Sequence, residues 1–330
     1  MLRSYIERRE TFLHGRDNNR RSLPFDWGID HLGITANVNA ATALEDYVSK
    51  AVDDSAAFYA CDRAPRYEFD GEILKFPSAV ATPYPENNTV WGRFFDSGKD
   101  LAVIVLPQWN CKWDGQIQLC RVFQRVGIAS LRLSLPYHHH RKPAHLERAE
   151  YIVSANIGRT IASIRQAALD ARRAADWLLD RGYRRIGIVG TSIGSCIGFL
   201  TFVHDERFST GAFIHVSSFF ADVVWNGLST KHVRAGLEPA IDLENLRKFW
   251  TPISPYPFIK RLEGTTRRLL TLSGRYDTTF LPSLTQQTYD EFDRCQIPYQ
   301  SIWLPCGHYT MGQFPFSSMV GYQLIKFLTA

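Results

Sequence analysis

No uninterrupted apolar run in the 330 residues approaches the eighteen or so that a membrane-spanning helix requires, so no membrane span is expected. A dense Lys/Arg stripe interleaved with aromatics is missing too. With 38 basic and 33 acidic residues the net charge is only +5, and no nucleic-acid partner is expected. The six cysteines, Cys61, Cys111, Cys120, Cys196, Cys295 and Cys306, include no C-x-x-C pair and no compact framework, which points to reduced thiols. The first residues carry charges throughout and hold no apolar segment of a secretory leader, and Arg20-Arg21 is not followed by one either. The expected location is therefore cytoplasmic.

What is present is the composition of an ordinary globular chain, 45% hydrophobic and 22% charged, long enough for one large α/β domain with an extension. Residues 1–66 read as a helical N-terminal extension. Leu2, Tyr5, Ile6, Phe12 and Leu13 fit one face of a first helix, and 40–59 reads as a second. This arm is expected to pack on the main domain and stabilise it, without a part in catalysis. From 67 the pattern turns to strands: 67–76 and 89–96 read as an antiparallel pair, and Leu101–Leu106 is a continuous apolar run suited to a strand buried on both faces. Helices and strands then alternate to the end, with 116–126, 157–179, 281–292 and 316–328 helical and 128–135, 186–189, 212–216, 268–272 and 299–304 extended. Only 219–262 breaks the rhythm, with a short helix near 243–249 and several aromatics, and reads as a lid-like insertion. Such alternation implies a mostly parallel central sheet with helices on both faces, and it places functional groups at the carboxyl ends of the strands.

The organising stretch is 185–194, where the apolar run 186–189 breaks into Gly190-Thr191-Ser192-Ile193-Gly194 before a helix over 195–203. A G-x-S-x-G turn between strand and helix is a nucleophile elbow: the serine is held in a strained conformation, and both glycines avoid collisions with neighbouring backbone. Two further strand ends carry reactive residues. One runs into Ser273-Gly274-Arg275-Tyr276-Asp277 and the other into Pro305-Cys306-Gly307-His308. In element order and in the sequence Ser, Asp, His, the region 67–330 resembles the α/β-hydrolases.

That resemblance implies an α/β-hydrolase fold and a serine hydrolase that cleaves a carboxylic ester through an acyl-enzyme, with no metal or organic cofactor and a small-molecule ester as substrate. Ser192 is the nucleophile in this reading, His308 its base, and Asp277 the carboxylate that orients the imidazole. The amide of Ile193 supplies one oxyanion donor. A second comes from the loop Pro107-Gln108-Trp109-Asn110; Pro107 has no N–H, and Trp109 is preferred over Gln108 and Asn110. The loop departs from the superfamily, in which His-Gly often follows this strand. Thioesters, amides and acyl transfer use the same triad, and a hydrolase-like binding protein with an inert triad is the alternative from another class.

Leu135-Pro136-Tyr137-His138-His139-His140-Arg141-Lys142-Pro143 is the second conspicuous stretch. Adjacent histidines point in different directions and no acidic or cysteine partner is close in sequence, so no metal site is expected. A substrate-facing role for Tyr137, His138 and the neighbouring Arg141 is set against a solvated loop with Arg141 paired at the surface. Together with the long helix and the elbow, the stretch looks like that of a poorly characterised group of abhydrolase-domain proteins. In the insertion, Phe219, Phe220, Trp225 and Trp250 are placed either in a substrate pocket, with Trp225 the preferred contact, or in the insertion's own core.

Overall fold

Leu101–Leu106 is buried along its whole length because its side chains alternate between two cores. Ala102, Ile104 and Leu106 face one, while Leu101, Val103 and Val105 face the other. This strand is the spine of a nine-stranded sheet in a computed structural model that describes residues 2–35, 39–98 and 100–330.

The chain begins with helices α1 (Leu2–Gly15), α2 (Ala40–Asp53) and the single turn α3 (Ser55–Phe58). Strands β1 (Glu68–Phe69), β2 (Ile73–Pro77), β3 (Thr89–Phe95) and β4 (Leu101–Leu106) follow. Next come α4 (Ile117–Arg125), β5 (Ala129–Leu133), α5 (Ile157–Asp180), β6 (Arg185–Thr191), α6 (Ile193–His204) and β7 (Phe208–Ile214). Three short helices, α7 (Phe220–Asn226), α8 (Lys231–Leu237) and α9 (Leu243–Phe249), interrupt the alternation. It resumes with β8 (Arg268–Gly274), α10 (Pro282–Arg294), β9 (Gln300–Leu304) and α11 (Phe316–Thr329). The spatial order is β1-β2-β3-β5-β4-β6-β7-β8-β9, antiparallel as far as β5 and parallel from there on. Helices α4 and α11 cover one face; α5 and α6 cover the other. On α5, Ile161, Ile164, Ala168, Ala171, Ala175 and Leu178 form the buried stripe that their spacing predicts.

Two local readings change. The stretch 67–76 is not one strand: Asp70 accepts hydrogen bonds from the amides of Glu72 and Ile73, and Gly71 takes φ +103°, so the chain folds back as the β1–β2 hairpin. In α1 most of the apolar residues are not the buried ones. Leu2, Tyr5 and Phe12 are exposed, whereas Ile6 and Glu10, one turn apart, point inward. Residues 2–35 and 39–66 lie against the rest of the chain at several places, among them the Tyr59 hydroxyl on Pro252 O at 2.8 Å and Trp27 edge-on to Phe249 at 5.3 Å.

Candidate active site

Strand β6 delivers Ser192 through a turn that only glycine on either side permits. A Cβ on Gly190 would lie 2.2 Å from Gly194 O, and one on Gly194 would lie 2.3 Å from Leu106 O, both inside van der Waals contact. Ser192 itself sits at φ 57°, ψ −122°, with its amide bonded to Ile214 O at 2.9 Å. A non-glycine residue in that region is strained, and here the surrounding backbone enforces it.

The loops after β8 and β9 bring Asp277 and His308 to this serine. They are tied together by the Tyr276 amide on Cys306 O at 2.9 Å and the Arg275 amide on Leu304 O at 2.8 Å. Ser192 Oγ lies 3.0 Å from His308 Nε2, and His308 Nδ1 lies 3.1 Å from Asp277 Oδ2. Asp277 Oδ1 accepts from the amides of Thr279 and Phe280, each at 2.7 Å, so the carboxylate is held at both oxygens. Burial opposes ionisation of Asp277, but the facing imidazoles of His308 and His215, with the His308 hydrogen bond, outweigh it and hold the carboxyl well below the usual range. At His308 burial again disfavours charge, and the Asp277 carboxylate again prevails, raising the imidazole above its ordinary value.

A second histidine shares this carboxylate. His215 follows β7 at φ +65°, is buried, and holds its Nδ1 2.7 Å from Asp277 Oδ2 but off hydrogen-bond alignment. Its ring centroid is 4.2 Å from that of His308. Burial, together with the positive charge of His308, pushes His215 below the ordinary histidine value and favours the neutral ring. Sequence reasoning missed it because a lone histidine after an apolar strand carries no motif. Its positive φ and its contact with Asp277 are tertiary facts. His215, Asp277 and His308 also place three ligand-type atoms within 4.8 Å of one another. A metal ion there would take the carboxylate oxygen that faces both imidazoles, so ion binding and the Ser192–His308–Asp277 chain are alternatives.

Ile193 opens α6, where the first amides of a helix have no intrahelical acceptor. Across from it, the loop after β4 is pinned to Ala149 by the Trp109 indole N–H on Ala149 O at 2.9 Å and by Asn110 Oδ1, which accepts from the Ala149 amide at 2.8 Å. The Asn110 amide donates to His138 Nε2 at 2.9 Å and is occupied. Among the described residues, the amides of Gln108 and Trp109 have no acceptor.

Here the three-histidine stretch finds its place. His138 Nε2 accepts from Asn110, so its proton is on Nδ1, which donates to Pro136 O at 2.9 Å. Burial pulls this ring down to about 3 and keeps it neutral. His139 faces Ser134 Oγ and Cys111 O, and His140 stacks on Trp91 at 4.4 Å. Arg141, fully buried, bonds Asp170 at 2.8 Å and the carbonyls of Asn87 and Ser134.

A cavity of about 560 Å³ opens over Ser192 and His308. Its apolar wall includes Phe219, Phe220, Val223 and Val224 from the insertion, and Asp17, Arg20 and Arg148 are among its polar residues. Tyr137, His138 and Trp225 do not line it, which corrects their expected substrate contacts. Tyr137 and His138 are buried, His138 against the loop after β4, and Trp225 lies at a separate depression with Arg234 5.0 Å over its ring. Trp250 is likewise core, its indole N–H on Ile157 O at 3.3 Å. Ser192, Ile193, Trp109 and His308 do border the cavity, with Asp277 behind His308.

No protein-family model and no curated protein matches the chain. Solved structures do. An acetyl xylan esterase of Thermoanaerobacterium sp. aligns over 87% of this chain and 94% of its own, with TM-score 0.61 at 15% identity. An esterase of Pyrococcus furiosus aligns over 80% and 92%, with TM-score 0.55 at 17% identity. A puromycin-hydrolysing peptidase of Mycobacterium tuberculosis aligns over 76% of this chain and 39% of its own, with TM-score 0.58 at 14% identity. The chain has the α/β-hydrolase fold.

Proposed function

We propose that the protein is a serine hydrolase that cleaves a carboxylic ester. The observation that carries this reading is the unbroken chain from Ser192 Oγ through His308 to Asp277 at the floor of an apolar cavity, with distances of 3.0 and 3.1 Å. A serine hydroxyl attacks a carbonyl only if a base takes its proton, and His308 Nε2 is within reach to do so. Asp277 keeps the Nδ1 proton of His308 directed at itself and stabilises the imidazolium formed during attack. The developing oxyanion is met by the Ile193 amide and the amide of Trp109. The imidazolium then protonates the leaving alcohol, and water, deprotonated by His308, releases the acid. No cofactor takes part in these steps.

The largely apolar wall favours an acyl group over a charged one. The fold is shared by esterases and by a peptidase, so thioesters, amides and acyl transfer remain within reach of the same triad. The test is hydrolysis of a p-nitrophenyl ester series from acetate to long acyl chains by the parent and Ser192→Ala. Turnover by the parent that vanishes in the variant supports the reading, and the best chain length sizes the cavity. Absence of turnover across the series, with amides and thioesters inert as well, favours the binding-protein alternative.

A further inference from the structure

Helix α1 places one carboxylate, Glu10, where a hydrophobic side chain would be expected. Glu10 is wholly buried. Oε1 accepts from the Thr310 amide at 2.8 Å; Oε2 accepts from the Tyr309 amide at 3.0 Å and from Thr278 Oγ1 at 3.4 Å. Thr278 follows Asp277, and Tyr309 and Thr310 follow His308, so one side chain ties the two loops that meet at the imidazole. Gly307 is shaped to receive it, since a Cβ there would fall 2.4 Å from Glu10 Cδ. The rest of the arm grips the same loop. His14 Nδ1 lies 3.2 Å from the Tyr309 hydroxyl, Arg20 donates to that hydroxyl at 3.3 Å, and Arg9 donates to Gln313 at 3.3 Å.

A buried carboxylate is costly unless it is hydrogen-bonded, and the bonds of Glu10 are to amides and a hydroxyl instead of a cation. Its negative charge is therefore left beside the histidine loop. We propose that Glu10 is a positioning residue of the active site: delivered by the N-terminal helix, it fixes the His308 loop so that the imidazole stands between Ser192 and Asp277. This rests on the Ser-His-Asp reading above. It gives one residue of the arm a part in catalysis, where the sequence suggests a stabilising strap alone.

The groups facing His308 are Asp277 from the end of β8, His215 from the end of β7, Ser192 from the elbow, the Phe280 ring stacked at 5.3 Å, and its own loop neighbours Cys306 and Tyr309. Of the two carboxylates, Asp277 acts most strongly and Glu10 adds to it in holding the imidazole above its ordinary value. Loss of the Glu10 charge thus moves the His308 titration to lower pH.

The experiment measures the second-order rate of fluorophosphonate labelling against pH for the full-length parent, Glu10→Gln, Glu10→Asp and Arg8→Ala, with the melting temperature of each. For Glu10→Gln the plateau rate is expected to fall about 10- to 100-fold, the scale of a misplaced catalytic group, with its midpoint at lower pH than the parent's. Glu10→Asp, which keeps the charge on a shorter stem, restores the midpoint but not the plateau. Arg8→Ala, at an exposed side chain that bonds the Ser4 carbonyl of its own helix, leaves both unchanged. A lower melting temperature with the parent's plateau and midpoint in Glu10→Gln overturns the proposal, because that is the behaviour of a structural contact. Should Glu10→Gln not fold, Glu10→Asp decides: a plateau within about twofold of the parent's overturns the proposal and a larger loss supports it. A parent that is not labelled at all refutes the Ser-His-Asp reading first, and the role of Glu10 falls with it.

Discussion

Strand ends supply this protein with two sets of histidines, and the same burial has opposite consequences in them. After β5, His138 and His139 are enclosed among carbonyls, an amide and a hydroxyl; burial, aided by the nearby Arg132 charge, pulls them to about 3 and about 4. After β9, His308 is largely enclosed too, but it faces a carboxylate on one nitrogen and a serine hydroxyl on the other, and its affinity for protons rises. Burial favours the neutral ring; a facing carboxylate can reverse it. His138 and His139 therefore brace the loops around them, and the isolated histidine is the candidate base.

The comparison is broken most severely by removing the serine chain. Ser192→Ala and His308→Ala are expected to lower kcat by at least about 10⁴-fold, read as steady-state ester hydrolysis. Asp277→Asn keeps the shape of the site but loses the charge that fixes the His308 tautomer, and a loss of about 10³- to 10⁴-fold is expected in the same assay. His138→Ala acts one step further away. It frees the Asn110 amide and loosens the loop that carries Trp109, the proposed second oxyanion donor, so kcat should fall about 10- to 100-fold with little change in KM.

The pH profile sharpens the contrast. His308 works as a base only when neutral, so activity is absent at low pH and rises through its elevated value, a midpoint above the ordinary histidine value of about 6.5. A midpoint well below that would mean burial governs His308 as it governs His138. The smallest effect is expected at His140→Ala, which removes a ring stacked on Trp91 remote from the serine: stability falls by about 1 kcal/mol in a denaturant titration and kcat is unchanged.

Much of this arrangement is legible before folding, because it is written in local patterns. Alternating apolar runs and helical stripes mark the sheet and its covering helices, and Gly190, Ser192 and Gly194 mark the elbow by steric need. Asp277 and His308 stand at strand ends, where a parallel sheet exposes functional groups. What stays hidden is assembled across distance. The contact of His215 with Asp277 depends on β7 lying beside β8. Glu10 is hidden for a different reason: apolar periodicity assumes that a buried helix face meets hydrocarbon, and the surface awaiting α1 is a row of amide donors. Tyr137 and His138 were misplaced because a polar residue at a strand end reads the same from sequence whether it enters the cavity or braces the loop beside it.

The central claim is that burial beside Asp277 turns His308 into the base that activates Ser192. Its most direct test is to label the purified protein with a fluorophosphonate and locate the adduct by peptide mass spectrometry, beside Ser192→Ala. The account predicts one adduct, on the peptide containing Ser192, absent from the variant. A folded parent that takes no label, or takes it on another serine, contradicts it.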